Sequence, residues 1–330
     1  MRTGSGLQVL LLIWTFFSYQ TAHAAGAVVA GYASVSPSEL PFIAAASAKL
    51  FNKHGLDVDV VYMGGSSRVT QAMLSGDIHI GHIAGPSVGY ARATGMDVVY
   101  IATTTNSMVA SLMVDPTIGR AEDLRGKRIA VTRRGSLTDF FARIAVDHLG
   151  LVPDKDVGFQ YTGGMQETFL ALSQSLTAAA VVGPGPIREM MAQKGYKEML
   201  NLAKIGRDFP FNGVATTRTY LKTHRPRVSR FMKAIIEGIK LTSDNKEFGK
   251  SVLRKYTGVT DDKLLTTGYE TYAGYFRRVP YPVTNGWDVV LAMIGREIPK
   301  ARELKPQDIV DDSIIREIEQ SGFLAELGQK

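Results

Sequence analysis

One pattern of glycines, prolines and apolar runs occurs twice in this chain and constrains its fold more than any other feature. The first copy extends from His54 to Pro86 and the second from Leu149 to Pro184. Each copy contains Gly-Leu, a strand, a Gly-Gly turn, an amphipathic helix, an apolar strand and a Gly-Pro turn. Because parallel strands need a crossover between them, each copy predicts a βαβ unit. Two such units predict an α/β protein with two similar lobes, each a mainly parallel sheet flanked by helices.

The glycine-rich turns lie where the predicted strands end. In open α/β sheets, ligands bind outside the carboxyl ends of the strands, and clefts between domains are preferred binding sites. We therefore expect a ligand cleft between the two lobes. From Pro226 onward the pattern becomes helical and lacks such turns, so we expect these helices to support the lobes without building the site.

The first residues have the pattern of an export signal. Arg2 precedes an apolar run from Leu7 to Phe17, and Ala22-His23-Ala24 follows a short polar stretch. The run is shorter than the roughly 20 residues that a membrane-spanning helix needs. We predict a signal peptide at residues 1–24, cleaved near Ala24, and therefore a periplasmic protein; an uncleaved membrane anchor is the alternative.

Composition narrows the classes of partner. The chain has no cysteine, so stability must come from its hydrophobic core. Its net charge is +7, but the basic residues are spread among acidic ones, whereas nucleic-acid binding needs a clustered basic surface. His79 and His82 lie on opposite faces of a predicted strand, and no third metal ligand has a familiar spacing. We expect a monomer with no nucleic-acid partner, metal or cofactor.

Residues in the predicted loops are the candidate ligand contacts. The loop at 132–140 follows an apolar strand and begins a helix, so its backbone N–H groups favour an anion. The candidates, in chain order, are Ser36, Ser38, Glu39, Gly65, Ser66, Ser87, Thr104, Asn106, Arg134, Gly135, Ser136, Thr138, Gly164, Gln166, Gly183 and Asn212. For the serines and threonines near helix starts, capping is the alternative role. The candidates for an aromatic wall, with core packing as the alternative, are Tyr32, Phe42, Phe140, Phe169 and Phe211.

Four segments resemble one family, the ABC-importer solute-binding proteins for nitrate, sulfonates, taurine and thiamine-pyrimidine precursors. The segments are SELPFIAAASAKLFNKHGLDVDVV from Ser38, MLSGDIHIG from Met73, GMDVVYIAT from Gly95 and EDLRGKRIAV from Glu122. As an ordered series they are fairly specific to this family, and the resemblance covers nearly the whole mature chain.

The resemblance implies a type II periplasmic-binding fold, in which the chain leaves the first lobe, builds the second and returns. We expect lobe I to comprise residues 25–107 and 213–330, and lobe II residues 108–212. The resemblance further implies a binding protein that is not an enzyme, and that delivers a small organic solute, expected to be anionic, to a membrane permease. Family members usually carry aspartates where this chain has His79 and Ala178.

The alternative function is a secreted serine hydrolase. Gly85-Pro86-Ser87-Val88-Gly89 matches G-x-S-x-G, and it lies between a predicted strand and a predicted helix, which is the context of a catalytic serine turn. The corresponding turn of the second copy, Gly183-Pro184-Gly185-Pro186, has no serine. We therefore expect a structural turn that the fold requires in both copies, in preference to a catalytic serine turn.

Overall fold

The computed structural model describes residues 26–206 and 208–328. The predicted signal peptide lies outside these residues. Within them the chain forms ten β-strands: β1 Val28–Tyr32, β2 Val58–Tyr62, β3 Ile80–Ile83, β4 Val99–Thr105, β5 Ser111–Val114, β6 Arg128–Val131, β7 Gly158–Tyr161, β8 Ala179–Val182, β9 Lys197–Asn201 and β10 Asn212–Thr216.

The same residues form fourteen α-helices, and the second half of the described chain contains most of the longer ones. They are α1 Leu40–Ser47, α2 Leu50–Lys53, α3 Ser66–Ser75, α4 Gly85–Ala93, α5 Leu137–His148, α6 Met165–Ser173, α7 Pro186–Gln193, α8 Arg218–Thr223, α9 Arg225–Asp244, α10 Lys246–Thr257, α11 Asp262–Ala273, α12 Trp287–Ile294, α13 Ser313–Gln320 and α14 Phe323–Glu326. No helix in the described ranges is long and apolar enough to cross a lipid bilayer.

The strands form two five-stranded sheets with the same arrangement. The first has the order β2-β1-β3-β10-β4 and the second β7-β6-β8-β5-β9. In each sheet, four strands run in one direction and the fourth strand in the order runs against them. The predicted α/β fold with two mainly parallel sheets is confirmed.

The two copies of the sequence pattern occupy equivalent places in the two sheets. The first copy supplies β2, α3 and β3, and the second supplies β7, α6 and β8. In each case the two strands lie on either side of a third strand, β1 or β6, and both are parallel to it. Because both copies have the same order of strand, turn, helix and strand, the pattern produces the same layer of sheet and helix twice.

In each sheet, the antiparallel strand is the first strand that the chain forms after it crosses over from the other sheet. The chain leaves β4 and enters β5 through residues 106–110, and it returns from β9 to β10 through residues 202–211. The returning strand β10 lies in the middle of the first sheet, between β3 and β4. The lobe boundaries at residues 107/108 and 212/213 stay a prediction.

One predicted helix is interrupted. The sequence from Pro41 to His54 predicts a single helix, but the structure has α1 and α2, separated at Lys49, which adopts a left-handed conformation with φ 55°. A residue in this conformation turns the chain out of the right-handed helix. Helix α9 packs against α1, and α13 packs against β4, so late helices support the first sheet, as predicted.

Candidate ligand-binding site

A cavity lies between the two sheets, and segments from both form its wall. It contains about 890 Å³ of empty space, including the part open to solvent. Apart from residues 109, 110, 141, 211, 212 and 272, the lining segments are residues 33–36, 38 and 39 after β1, 62 and 64–66 at β2, 84 after β3, 132 and 136–138 after β6, 163–166 after β7, and 183 after β8. Each lies at the carboxyl end of a parallel strand, where α/β sheets bind their ligands.

Most of the ligand residues predicted from sequence line this cavity. They are Ser36, Ser38, Glu39, Gly65, Ser66, Ser136, Thr138, Gly164, Gln166, Gly183 and Asn212. Their contact with a ligand stays a prediction.

Three helices begin at the cavity. The first residues of α3, α5 and α6 line it, among them Ser66, Leu137 and Met165. The first N–H groups of a helix have no acceptor within the helix, and the helix dipole places partial positive charge there. The cavity therefore offers hydrogen-bond donors from three directions to an anionic or acceptor group.

The loop before α5 is held by a cluster of hydroxyl groups. Thr132 Oγ1 lies 2.9 Å from Ser136 Oγ and 2.8 Å from Thr138 Oγ1, and Ser136 Oγ also accepts from the N–H of Asp139 at 3.4 Å. Ser136 thus caps α5 and also lines the cavity. Ser36 likewise accepts from the N–H of Ser38 at 3.2 Å while lining the cavity.

A buried carboxylate supports this loop from beneath. Asp139 Oδ2 accepts from the N–H of Gly135 at 2.9 Å, and Asp139 Oδ1 accepts from Arg143 Nε at 3.1 Å. Burial raises the pKa of the Asp139 carboxyl, while the Gly135 N–H and the Arg143 guanidinium act in the opposite direction. The bond from Gly135 holds that glycine in its left-handed conformation with φ 71°.

Glu39 brings a carboxylate to the cavity. Its Oε1 accepts from Ser34 Oγ at 3.0 Å and from Asn212 Nδ2 at 3.3 Å, and its Oε2 lies 2.5 Å from His82 Nδ1. Glu39 and His82 are each 1% exposed. The sequence predicted Glu39 and Asn212 as site residues, but the role of His82 at this position was not predicted.

Aromatic side chains form another part of the wall. Phe211 lies between Phe141 and Tyr272, with ring centroids 5.5 and 6.2 Å away, and all three line the cavity with Tyr62. Burial raises the pKa of Tyr272, which favours its neutral form.

Of the predicted aromatic candidates, only Phe211 lies at the cavity; the others pack elsewhere in the described structure. Tyr62, Phe141 and Tyr272 were missed. Phe141 is adjacent to the predicted Phe140, and which of the two faces the cavity depends on the rotation of α5. Tyr272 belongs to α11, so the prediction that the late helices contribute nothing to the site is wrong.

Two predicted ligand residues, Ser87 and Gly135, contact each other and do not line the cavity. Ser87 Oγ donates to the carbonyl of Gly135 at 3.3 Å. Ser87 is 3% exposed and lies within α4. A nucleophilic serine needs a base that accepts its proton, but here the proton is directed to a carbonyl oxygen. This arrangement does not support the hydrolase alternative.

Three further predicted residues lie away from the cavity because other groups hold their side chains. Arg134 pairs with Glu297 at 3.1 Å, and Asn106 Nδ2 donates to Asp208 Oδ1 at 2.8 Å. Thr104 lies behind His82, with its Oγ1 3.0 Å from His82 Nε2.

His79 and His82 have unrelated partners. His79 Nδ1 accepts from the N–H of Val29 at 2.9 Å, and its ring stacks on Tyr220 at 5.0 Å. Within residues 26–206 and 208–328, no group of three His, Cys, Asp or Glu residues is placed to hold a metal ion.

Comparison with known protein families identifies the chain. The family model described as "NMT1/THI5 like" matches residues 36–247, which is more than half of the sequence. The chain belongs to the NMT1/THI5-like family. This assignment agrees with the resemblance seen in the sequence, and the matched region includes both copies of the repeated pattern.

One curated relative supports the NMT1/THI5-like assignment. The taurine-binding periplasmic protein of Escherichia coli (strain K12) is 29% identical over 150 residues, and the match covers 45% of this chain and 45% of that protein. The chain thus matches about half the length of this relative.

Solved structures show that the NMT1/THI5-like chain has the fold of periplasmic binding proteins. The alkanesulfonate-binding protein SsuA from Xanthomonas axonopodis pv. citri, bound to MOPS, has a TM-score of 0.68 and 16% identity, covering 84% of this chain and 94% of that one. The periplasmic nitrate-binding protein NrtA from Synechocystis PCC 6803 has a TM-score of 0.67 and 15% identity, covering 89% and 88%. The predicted two-lobed binding-protein fold is therefore confirmed.

Proposed function

We propose that this protein is the periplasmic solute-binding component of an ABC importer, which captures a small organic anion between its lobes and delivers it to a membrane permease. The observation that carries this proposal is the cavity between the two sheets, whose wall comes from the strand ends of both. The NMT1/THI5-like family membership supports the same function. We propose the predicted lobes, residues 25–107 with 213–330 and residues 108–212, as the units that close on the solute.

The chemistry of the cavity supports a solute with an acceptor group and an apolar part. Helix starts at Ser66, Leu137 and Met165 present N–H groups suited to an anion. Phe141 and Phe211 offer an apolar surface for the organic part. The relatives named for taurine, alkanesulfonate and nitrate bind solutes that all carry an anionic group.

Contacts across the cleft support closure of the lobes around the solute. Arg133 Nε, on the loop after β6, donates to the carbonyl of Gly64, on the loop after β2, at 3.1 Å. Ser87 Oγ and the carbonyl of Gly135 form another such bond. A solute favours closure only through its greater affinity for the closed form. Bonds between the lobes further stabilise that form.

A thermal-shift screen of the mature chain, beginning at Ala25, tests the proposal. The panel contains nitrate, acetate, ethanesulfonate, taurine and ethylamine. A solute at about 100 times its dissociation constant adds about 2.7 kcal/mol to the free energy of unfolding. We expect stabilisation by one of the anionic or zwitterionic solutes and none by ethylamine.

Two variants of one helix test whether the cavity is the binding site. Gln166 lies at the cavity at the start of α6, and Gln174 is exposed at its end. Gln166→Ala should weaken binding of the stabilising solute, measured by calorimetry, whereas Gln174→Ala should not. Equal effects of the two variants, or no stabilisation by any solute, would count against the proposed function.

A further inference from the structure

Glu39 presents an electrostatic problem for a cavity proposed to bind an anion. Among the described residues that line the cavity, Glu39 is the single carboxylate, and no Lys or Arg lines it. A bare carboxylate at this position would repel an anionic solute. The surroundings of Glu39 show how this repulsion is avoided.

We propose that His82 neutralises Glu39 through a shared proton, so that the carboxylate floor of the cavity carries no net charge and admits an anionic solute. This inference rests on the proposed function and assigns His82 as a residue that determines specificity without touching the solute.

The position of the protons follows from the partners of Thr104. Thr104 Oγ1 donates to the carbonyl of Asn212 at 3.1 Å, and a carbonyl oxygen can only accept. The single hydroxyl proton of Thr104 is used in this bond. Thr104 Oγ1 must therefore accept the hydrogen bond that it forms with His82 Nε2, 3.0 Å away. His82 Nε2 therefore carries a proton.

The other ring nitrogen of His82 faces Glu39 at 2.5 Å. Two lone pairs do not approach this closely, so a proton lies between Nδ1 and Oε2. If it belongs to the nitrogen, the pair is an imidazolium and a carboxylate; if it belongs to the oxygen, the pair is a neutral imidazole and a carboxylic acid. The net charge of the pair is zero in both cases.

Packing keeps the pair in this geometry. The His82 ring stacks on Phe42 with centroids 5.7 Å apart and planes 9° from parallel. Asn212 Nδ2 donates to the remaining oxygen of Glu39 at 3.3 Å. Since both members of the pair are 1% exposed, water does not replace these partners.

Three variants test the neutral pair, with ethanesulfonate and taurine as probes in calorimetry. Glu39→Gln replaces a neutral pair by a neutral pair, so any loss of affinity for either probe should be smaller than the loss in His82→Asn. His82→Asn leaves the Glu39 carboxylate uncompensated, and a like charge near the site should weaken ethanesulfonate binding on the order of 10- to 100-fold. The double variant should regain the lost affinity.

A tenfold gain of ethanesulfonate affinity in Glu39→Gln would overturn the inference, as would unchanged affinity in His82→Asn. A measurement on the wild-type protein keeps the test independent of the folding of any variant and of the solute. In ¹⁵N-histidine NMR, we expect both nitrogens of His82 to bond to or share a proton; an unprotonated Nε2 would overturn the inference. If wild type binds neither probe nor any solute of the screen, the proposed function fails, while the NMR result still decides the charge of the pair.

Discussion

Replacement of Gly213 by alanine tests whether the first sheet depends on the close approach of β10 to β4. Gly213 does not adopt a positive φ, so its backbone accepts alanine without strain. The obstacle is steric. A Cβ atom at this position would overlap the backbone carbonyl of Ala102 and lie 2.7 Å from Cζ of Tyr100.

The neighbours of Gly213 have little freedom to move. Ala102 belongs to the adjoining strand, and its carbonyl cannot shift without disturbing the pairing of β10 with β4. Tyr100 is fully buried and its ring packs edge-on against Trp287, with centroids 5.7 Å apart. Excess volume in a well-packed core typically costs about 1–3 kcal/mol. Since backbone is the obstacle here, we expect Gly213→Ala to lower the free energy of unfolding by about 3 kcal/mol or more.

Urea unfolding of the mature chain, followed by tryptophan fluorescence, measures this loss as a lower midpoint with an unchanged slope. Gly274→Ala is the matched control, because no atom lies within 4 Å of the added Cβ and Gly274 has right-handed φ and ψ. The control should be about 0.4–1 kcal/mol more stable, through the lower entropy of its unfolded chain. If Gly213→Ala unfolds within about 0.5 kcal/mol of wild type, the reasoning from close strand packing is wrong.

Three further changes test the loops and one surface group. Ser136→Ala removes the cap of α5 and should cost about 1 kcal/mol in urea unfolding; a loss below the error of that measurement would show that the cap is redundant. Arg133→Met removes the bond to Gly64 and should increase the radius of gyration of the solute-free protein in small-angle scattering, and an unchanged radius would contradict its role in closure. Burial and the neighbouring Glu319 carboxylate raise the pKa of Tyr281 to about 12 from 10.0. Because the folded state binds the Tyr281 proton more tightly than the unfolded state does, the free energy of unfolding of the wild type should fall between about pH 10 and pH 12 more steeply than that of Tyr281→Phe. Parallel pH profiles of the two proteins would refute the pKa shift.

Local patterns in the sequence were sufficient to predict the two sheets and much of the cavity wall. The Gly-Gly turns before Ser66 and Gln166 mark strand ends and helix starts, because glycine permits the turn and the polar residues follow it. Since parallel strands end at the same edge of a sheet, these positions face one cleft. Prediction was less accurate at Lys49, where one left-handed residue divides a helix that the apolar periodicity presents as continuous.

The sequence by itself determined the α/β class, the repeated unit and the loops that build the cavity, because turns, helix starts and strand ends depend on neighbours a few residues away. Only the tertiary structure decided which distant side chains complete the site. His82 pairs with Glu39 across 43 residues, and Tyr272 reaches the cavity from a helix that carries none of the glycine-rich turns. Such contacts depend on how helices rotate and how strands are ordered in the sheet, and no spacing along the chain encodes either. The charged and polar groups that surround the cavity therefore depend on packing.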